Sequence, residues 1–310
     1  MKKNLIYLAL AAIGFASCNG GFKQGPNGLL YNVYKETGSA KIKKGDFIAA
    51  YLVVKTDGDS LLYSAYESGQ PQFVIVQDPQ FKGDFMEGLL LVGQGDSATF
   101  KISTDSIVKN GVARPPYLKS TKYLLYDVKV EKVIPKGTLS DEVFQRTVST
   151  FVHDQTENIK KQEPAKIKKY IDDNKLQTAK TDSGLYYVIT KAGSGPNIAV
   201  NDTAVVKYTG RLLSGKIFDT NVKEDAIKGK LPQMEGNTFP PIRVPVGREG
   251  VIKGWDLGLP LLNKGAKATF VIPSNLAYGE RGNQVIPPNS PLVFDIEIID
   301  IVKAPALATK

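Results

Sequence analysis

The chain nearly repeats itself. Gly88, Gly95 and Ala98-Thr99-Phe100 recur as Gly258, Gly265 and Ala268-Thr269-Phe270, each pair separated by the same 170 positions. An offset that holds across turn glycines and a strand core marks two copies of one supersecondary plan. Upstream, Gly28-Leu29-Leu30-Tyr31 with Gly38-Ser39 echoes Gly184-Leu185-Tyr186-Tyr187 with Gly193-Ser194, and Gly45-Asp46 opens a strand as Asn201-Asp202 does. Downstream, Leu124, Tyr126, Val128 and Val130 alternate with Asp127, Lys129 and Glu131, as Leu292, Phe294, Ile296 and Ile298 alternate with Val293, Asp295, Glu297 and Ile299. Period two of this kind is the pattern of a half-buried strand. A chain of 310 residues has room for two domains. We expect them at 22–135 and 181–303, with a connector at 136–180.

The first 18 residues are of another kind. Lys2 and Lys3 precede an apolar run, Leu5 to Ala16, that is too short to span a bilayer and ends at Phe15-Ala16-Ser17-Cys18. This resembles a bacterial lipoprotein signal, which implies cleavage before Cys18 and a lipid on it, the only cysteine in the chain. With no other cysteine, disulfides are excluded and the cores alone must hold the domains. Asn19 after the cysteine leads to the periplasmic side of the outer membrane as the expected location. The formal charge of +9 does not point to nucleic acid. Basic against acidic residues number 14 to 12 over 19–135, 9 to 7 over 136–180 and 14 to 12 over 181–303, so no segment holds the basic stripe a phosphate backbone calls for.

In the second copy the scaffold carries further motifs: Val206-Lys207-Tyr208-Thr209-Gly210, Phe218-Asp219, Val251-Ile252-Lys253-Gly254-Trp255, Ala277-Tyr278-Gly279 and Pro287-Pro288 followed by Leu292-Val293-Phe294-Asp295. Tyr208, Phe218, Trp255, Tyr278 and Phe294 are rigid apolar faces, and Asp219 with the phenols adds the few polar contacts of a small-ligand pocket. Any one inward aromatic would ordinarily be core; the ordered set is what carries information. It resembles the FKBP-type peptidyl-prolyl cis-trans isomerases over about residues 181–303. The resemblance implies an α+β fold, a bent antiparallel sheet wrapped around one short helix at Ile252 to Leu262, present here twice and joined by a helical connector. It implies Trp255 as pocket floor, Tyr208, Phe218, Ile242, Val251, Ile252, Ile286 and Phe294 as the lining, Tyr278 as donor to the peptide carbonyl, and Asp219 as the carboxylate that orients Tyr208 or polarises the twisting amide. Proline-containing polypeptides are the expected clients and macrolides the expected inhibitors. A non-catalytic module that uses the pocket for recognition is the alternative.

The activity so implied needs no metal or cofactor. His153, the only histidine, falls in the connector, so neither a histidine metal site nor a Ser-His-Asp arrangement can be built at the pocket. In the first copy Leu62-Tyr63 stands for Phe218-Asp219, Phe85 for Trp255 and Val108 for Tyr278, with Tyr51 near the position of Tyr208. That copy is expected to fold without the chemistry. The connector reads as a helix from Ser140 to about Gln162, then a second helix opened by Pro164 and carrying Ile167, Tyr170 and Ile171. Its apolar positions suit packing on a domain, dimerisation with a second protomer, or a solvated spacer.

Overall fold

The structure, a computed structural model, describes residues 21–111, 113–115, 118–231 and 238–305. The leader with Cys18 and the end of the C-terminal tail lie outside the described residues. The chain divides into two compact units at Thr138/Leu139, apart from Tyr66–Gln70, which cluster with the second.

The first unit contains strands β1 (Lys23–Gln24), β2 (Leu30–Lys35), β3 (Phe47–Thr56), β4 (Leu61–Ser64), β5 (Gln72–Ile75), β6 (Ser97–Ser103) and β7 (Tyr123–Ile134). Their order in the sheet is β1-β2-β6-β7-β3-β4, with β5 also pairing β3. Helix α1 (Ala65–Ser68) follows β4, α2 (Phe85–Leu89) precedes β6, and α3 (Thr104–Lys109) follows it. The alternation read in the sequence is the burial pattern of β7, where Val128 and Val130 are buried in the core and Lys129 and Glu131 form an ion pair outside it.

The second unit opens with α4 (Asp141–Asp173) and continues through β8 (Ala179–Lys180), β9 (Tyr186–Lys191), β10 (Ser194–Asn197), β11 (Thr203–Leu212), β12 (Ile217–Thr220), α5 (Lys223–Lys228), β13 (Ile242–Pro245), α6 (Lys253–Gly258), β14 (Asn263–Lys264), β15 (Lys267–Ile272) and β16 (Leu292–Val302). Its main sheet runs β8-β9-β15-β16-β11-β12, with β13 also pairing β11. Strand for strand, this is the order of the first sheet. The turns correspond as well. Asp46 accepts the N–H groups of Lys43 and Lys136, and Asp202 accepts those of Ala199 and Ala304, so each carboxylate ties the start of a central strand to the end of the last one.

One face of the second sheet packs on α6, with Trp255, Leu259 and Leu262 against Phe270, Ile272, Leu292, Phe294, Ile296 and Ile298. Helix and sheet approach closely because Gly258 has no side chain: a Cβ there would stand 2.3 Å from the Phe270 ring. Gly88 does the same for α2 against Phe100, at 2.7 Å. The repeated glycine-phenylalanine pairs are thus one packing solution used twice.

The connector differs from expectation. It is one helix of 33 residues with Pro164 inside it. Proline removes one backbone hydrogen bond and crowds the preceding turn, at about 3 kcal/mol. Packing offsets that cost. Ile167 is buried on the sheet face opposite α6, against Val271 and Val293, with Tyr170 and Ile171 beside it. Glu163, next to the proline, accepts from the Ser274 N–H at 2.6 Å and the Ser274 hydroxyl at 2.7 Å. No helix among the described residues is long and apolar enough to cross a membrane.

Candidate active site

Strand β11 supplies the first wall. Val206 and Tyr208 alternate toward α6, and Gly210 follows on the same face, where a Cβ would stand 2.7 Å from the Phe294 ring and 2.8 Å from that of Phe218. The missing side chain is what lets Phe218 on β12 and Phe294 on β16 meet edge to face at 5.6 Å. Trp255, in the first turn of α6, stands edge-on to Tyr208 and to Phe294, both with ring centroids 5.3 Å away. Four aromatic rings so placed form a box; three of their contacts are in the edge-to-face geometry the ring quadrupoles favour, and Tyr208 meets Phe294 tilted at 6.2 Å.

Its polar fittings are few. The Tyr208 hydroxyl donates to the Asp219 carboxylate at 2.7 Å across the β11–β12 pair. Burial first, then the hydrogen bond and charge of Asp219, push the Tyr208 phenol far above its ordinary pKa. Burial and the Asp219 charge also raise Tyr278. A nearby anion disfavours a second one, so both phenols keep their protons and remain donors at neutral pH. The indole N–H of Trp255 is buried and meets no acceptor among the described residues.

Most of the residues singled out in the sequence come together here. Trp255, Ile286 and Phe294 lie in the core cluster, and Tyr208, Phe218, Ile242, Val251 and Ile252 pack against it. Ile286 is only 1 % exposed and forms the base of its loop, where the neighbouring Val285 is 58 % exposed. Tyr278 stands outside the cluster, 40 % exposed, on the loop that follows β15. The Val251-Ile252 segment is fastened to α6 because Asp256 accepts the N–H groups of Gly247 and Glu249. Across the mouth, Asn283 accepts from the N–H groups of Val285 and Ile286.

Sequence reasoning missed Asn221, 7 % exposed, whose side chain accepts from the Tyr208 N–H and donates to Val206 and Pro240 carbonyls. Its amide locks the strand carrying Tyr208 to the segment that returns to β13. No metal-binding group of His, Cys, Asp and Glu side chains occurs among the described residues.

The first unit corrects one expected equivalence. Phe100 pairs with Tyr126 as Phe270 pairs with Phe294, and Leu52 faces Val128 as Tyr208 faces Ile296. The counterpart of Tyr208 is therefore Leu52, and Tyr51 belongs to the other face, since one residue along a strand reverses the side. Tyr63 holds the register position of Asp219. Phe85 and Tyr126 meet tilted at 5.1 Å, where Trp255 and Phe294 meet edge to face in the second unit.

Comparison with known proteins meets this geometry at residues 195–299, which match the family described as FKBP-type peptidyl-prolyl cis-trans isomerase. This stretch is an FKBP-type domain. FkpA of Escherichia coli, named an FKBP-type peptidyl-prolyl cis-trans isomerase, is 35 % identical over 189 residues, covering 56 % of this chain and 62 % of that protein. A Haemophilus influenzae protein titled "Probable FKBP-type peptidyl-prolyl cis-trans isomerase" is 43 % identical over 123 residues, 39 % of this chain and 44 % of that one. The crystal structure of E. coli FkpA aligns with 34 % identity over 55 % of this chain and 76 % of that one, with a TM-score of 0.40. The chain thus spans between 44 % and 62 % of the length of these two curated relatives. An alignment of 189 residues cannot fit within 195–310, so the similarity to FkpA extends N-terminally beyond the matched FKBP-type stretch.

Proposed function

We propose that the protein is a peptidyl-prolyl cis-trans isomerase whose FKBP-type domain holds an Xaa-Pro bond in the box of Tyr208, Phe218, Trp255 and Phe294. The observation that carries this reading is the Tyr208–Asp219 hydrogen bond at the rim of an aromatic box. Amide rotation is slow because C–N resonance must be broken, at about 18–20 kcal/mol, while cis and trans before proline differ by only about 0.5–1 kcal/mol. The twisted amide has lost conjugation and is less zwitterionic than the planar one. An apolar box therefore favours the twisted form, which is differential binding of the transition state. Trp255 lies under the proline ring. Tyr278 donates to the substrate carbonyl. Asp219 keeps Tyr208 in place and acts as a fixed charge, since no proton is transferred in the reaction.

The test is the isomerisation rate of an Xaa-Pro peptide with purified protein and with Asp219→Ala and Tyr208→Phe. We expect kcat/KM to fall roughly tenfold or more for Asp219→Ala with the fold unchanged, the scale of losing one charge-assisted interaction of ~1.5–3 kcal/mol. Wild-type rates in both variants would refute the assigned roles.

The remaining assignments follow the same reading. Cys18 carries a lipid that anchors the protein in the outer membrane facing the periplasm, and Cys18→Ala should abolish fatty-acid incorporation. The clients are proline-containing envelope polypeptides, and macrolides that fill the box inhibit. Residues 22–135 form a second, degenerate FKBP-like domain. Leu52, Phe85 and Tyr63 in place of Tyr208, Trp255 and Asp219 favour a role in client binding for it. Dimerisation through the connector uses the helix upstream of Glu163, because Ile167, Tyr170 and Ile171 are occupied by the sheet.

A further inference from the structure

The connector helix meets the loop that carries Tyr278 through Glu163 and Lys160. Glu163, in α4, accepts two hydrogen bonds from Ser274, a residue 111 positions away and only 4 % exposed: its backbone N–H at 2.6 Å and its hydroxyl at 2.7 Å. Ser274 in turn organises the loop. Its carbonyl accepts from the Ala277 N–H at 3.0 Å and from the Gly279 N–H at 2.9 Å. Those are the amides on either side of Tyr278. The Gly279 carbonyl then accepts from Asn289, closing the loop. One turn of helix earlier, Lys160 reaches Glu280 at 2.6 Å, two residues past Tyr278. That pair is largely solvated, and an exposed ion pair holds little. The Glu163–Ser274 contact is different, being bidentate, charge-assisted and on a buried residue, which is the strong class of hydrogen bond.

We propose that Glu163 is a positioning residue for Tyr278, acting through Ser274, and that α4 is in this sense part of the isomerase site although it lies outside the FKBP-type stretch. The inference rests on the reading of Tyr278 as the donor to the substrate carbonyl. Tyr278 is 40 % exposed and outside the aromatic core, so packing alone does not fix its hydroxyl. The amides on both sides of it donate to a single carbonyl, and that carbonyl belongs to the residue Glu163 grips. Displacement of a donor by about 1 Å can lower a rate up to roughly a hundredfold.

A double-mutant cycle in the full chain tests this, with kcat and KM measured separately on an Xaa-Pro peptide. Glu163→Ala should lower kcat/KM roughly tenfold, mostly in kcat, because a transition-state contact is lost and the box that binds the proline ring is intact. Glu163→Gln, whose amide oxygen still accepts from the Ser274 N–H while its NH2 donates to the Ser274 hydroxyl oxygen, should restore most of the rate. In a Tyr278→Phe background Glu163→Ala should have no further effect, since residues acting through one group are not additive. Amide exchange at Ala277 and Gly279 should quicken in Glu163→Ala. Ser274→Ala, which keeps the backbone N–H, is the milder variant should Glu163→Ala fold poorly, and it should show the same non-additivity with a smaller loss. A full rate in Tyr278→Phe would overturn the reading of Tyr278 and this proposal with it. A slow Tyr278→Phe whose defect simply multiplies with that of Glu163→Ala, or an unimpaired Glu163→Ala, would overturn the positioning role alone.

Discussion

Replacing Ile167 by alanine measures whether α4 belongs to the C-terminal unit. Ile167 is 2 % exposed, and its contacts are Val271 and Val293, both 0 % exposed, on the face of the sheet opposite the aromatic box. Truncating a fully buried isoleucine costs about 2–5 kcal/mol, the transfer term plus a cavity. The cavity here lies between a helix and a sheet, where the helix can settle inward, so about 2–3 kcal/mol is the working value. Urea denaturation reads this cleanly because Trp255 is the only tryptophan and is 3 % exposed, so its fluorescence reports the second unit alone. With a urea dependence of about 2 kcal/mol per molar, the midpoint should fall by roughly 1–1.5 M. A substitution on a solvated spacer would change stability by no more than about 0.5 kcal/mol. A midpoint shift under about 0.25 M would therefore refute the packing of α4 as a structural part of this unit.

Gly258→Ala should destabilise the second unit by about 1–3 kcal/mol through overpacking against Phe270, and Gly88→Ala should do the same to the first unit against Phe100, each seen as a lower melting temperature. Asp202 is held down to about 2 by the hydrogen bond from Lys303 and by those from the Ala199 and Ala304 amides. Its folded pKa lies below its unfolded one, so its contribution is complete above about pH 4 and is lost as pH falls toward 2. Asp202→Asn should therefore flatten the pH dependence of stability in that window, and an unchanged slope would contradict the assignment. A fragment spanning 22–135 should fold yet leave the rate of Xaa-Pro isomerisation at the uncatalysed value; measurable turnover would mean that Leu52, Phe85 and Tyr63 suffice.

The strands were legible because one face of each packs on apolar neighbours and the other carries charge, which prints period two into β7 and β16. The glycine repeat revealed the two copies, but Gly88 and Gly258 read as turn glycines, and only the structure shows them in helices at points where a Cβ would strike a ring. Register was less so. Tyr51 and Leu52 are adjacent apolar residues, and nothing local says which faces inward; pairing with Val128 decides it. The box residues were found because their motifs, in order, resemble those of the FKBP-type isomerases. Glu163 and Asn221 escaped because a single polar side chain among many carries no periodicity, and their partners are distant in sequence or are backbone groups. Pro164 misled because its local cost is fixed while the burial that outweighs it depends on strands more than 100 residues away.

The pairing of β11 with β16 has a consequence in time. Tyr208 and Phe294, with ring centroids 6.2 Å apart, stand on neighbouring strands whose partners run from Thr203–Val302 to Leu212–Leu292, so the box has only one of its long walls until the last strand of the domain is available. A chain made from its N-terminus cannot assemble the box before Phe294 has left the ribosome, and closing so long a loop is a slow event in folding. The first sheet closes on β7, at Ile134, and needs nothing synthesised later. During its own synthesis the protein thus passes through a stage in which its N-terminal sheet can be complete while the aromatic box does not yet exist.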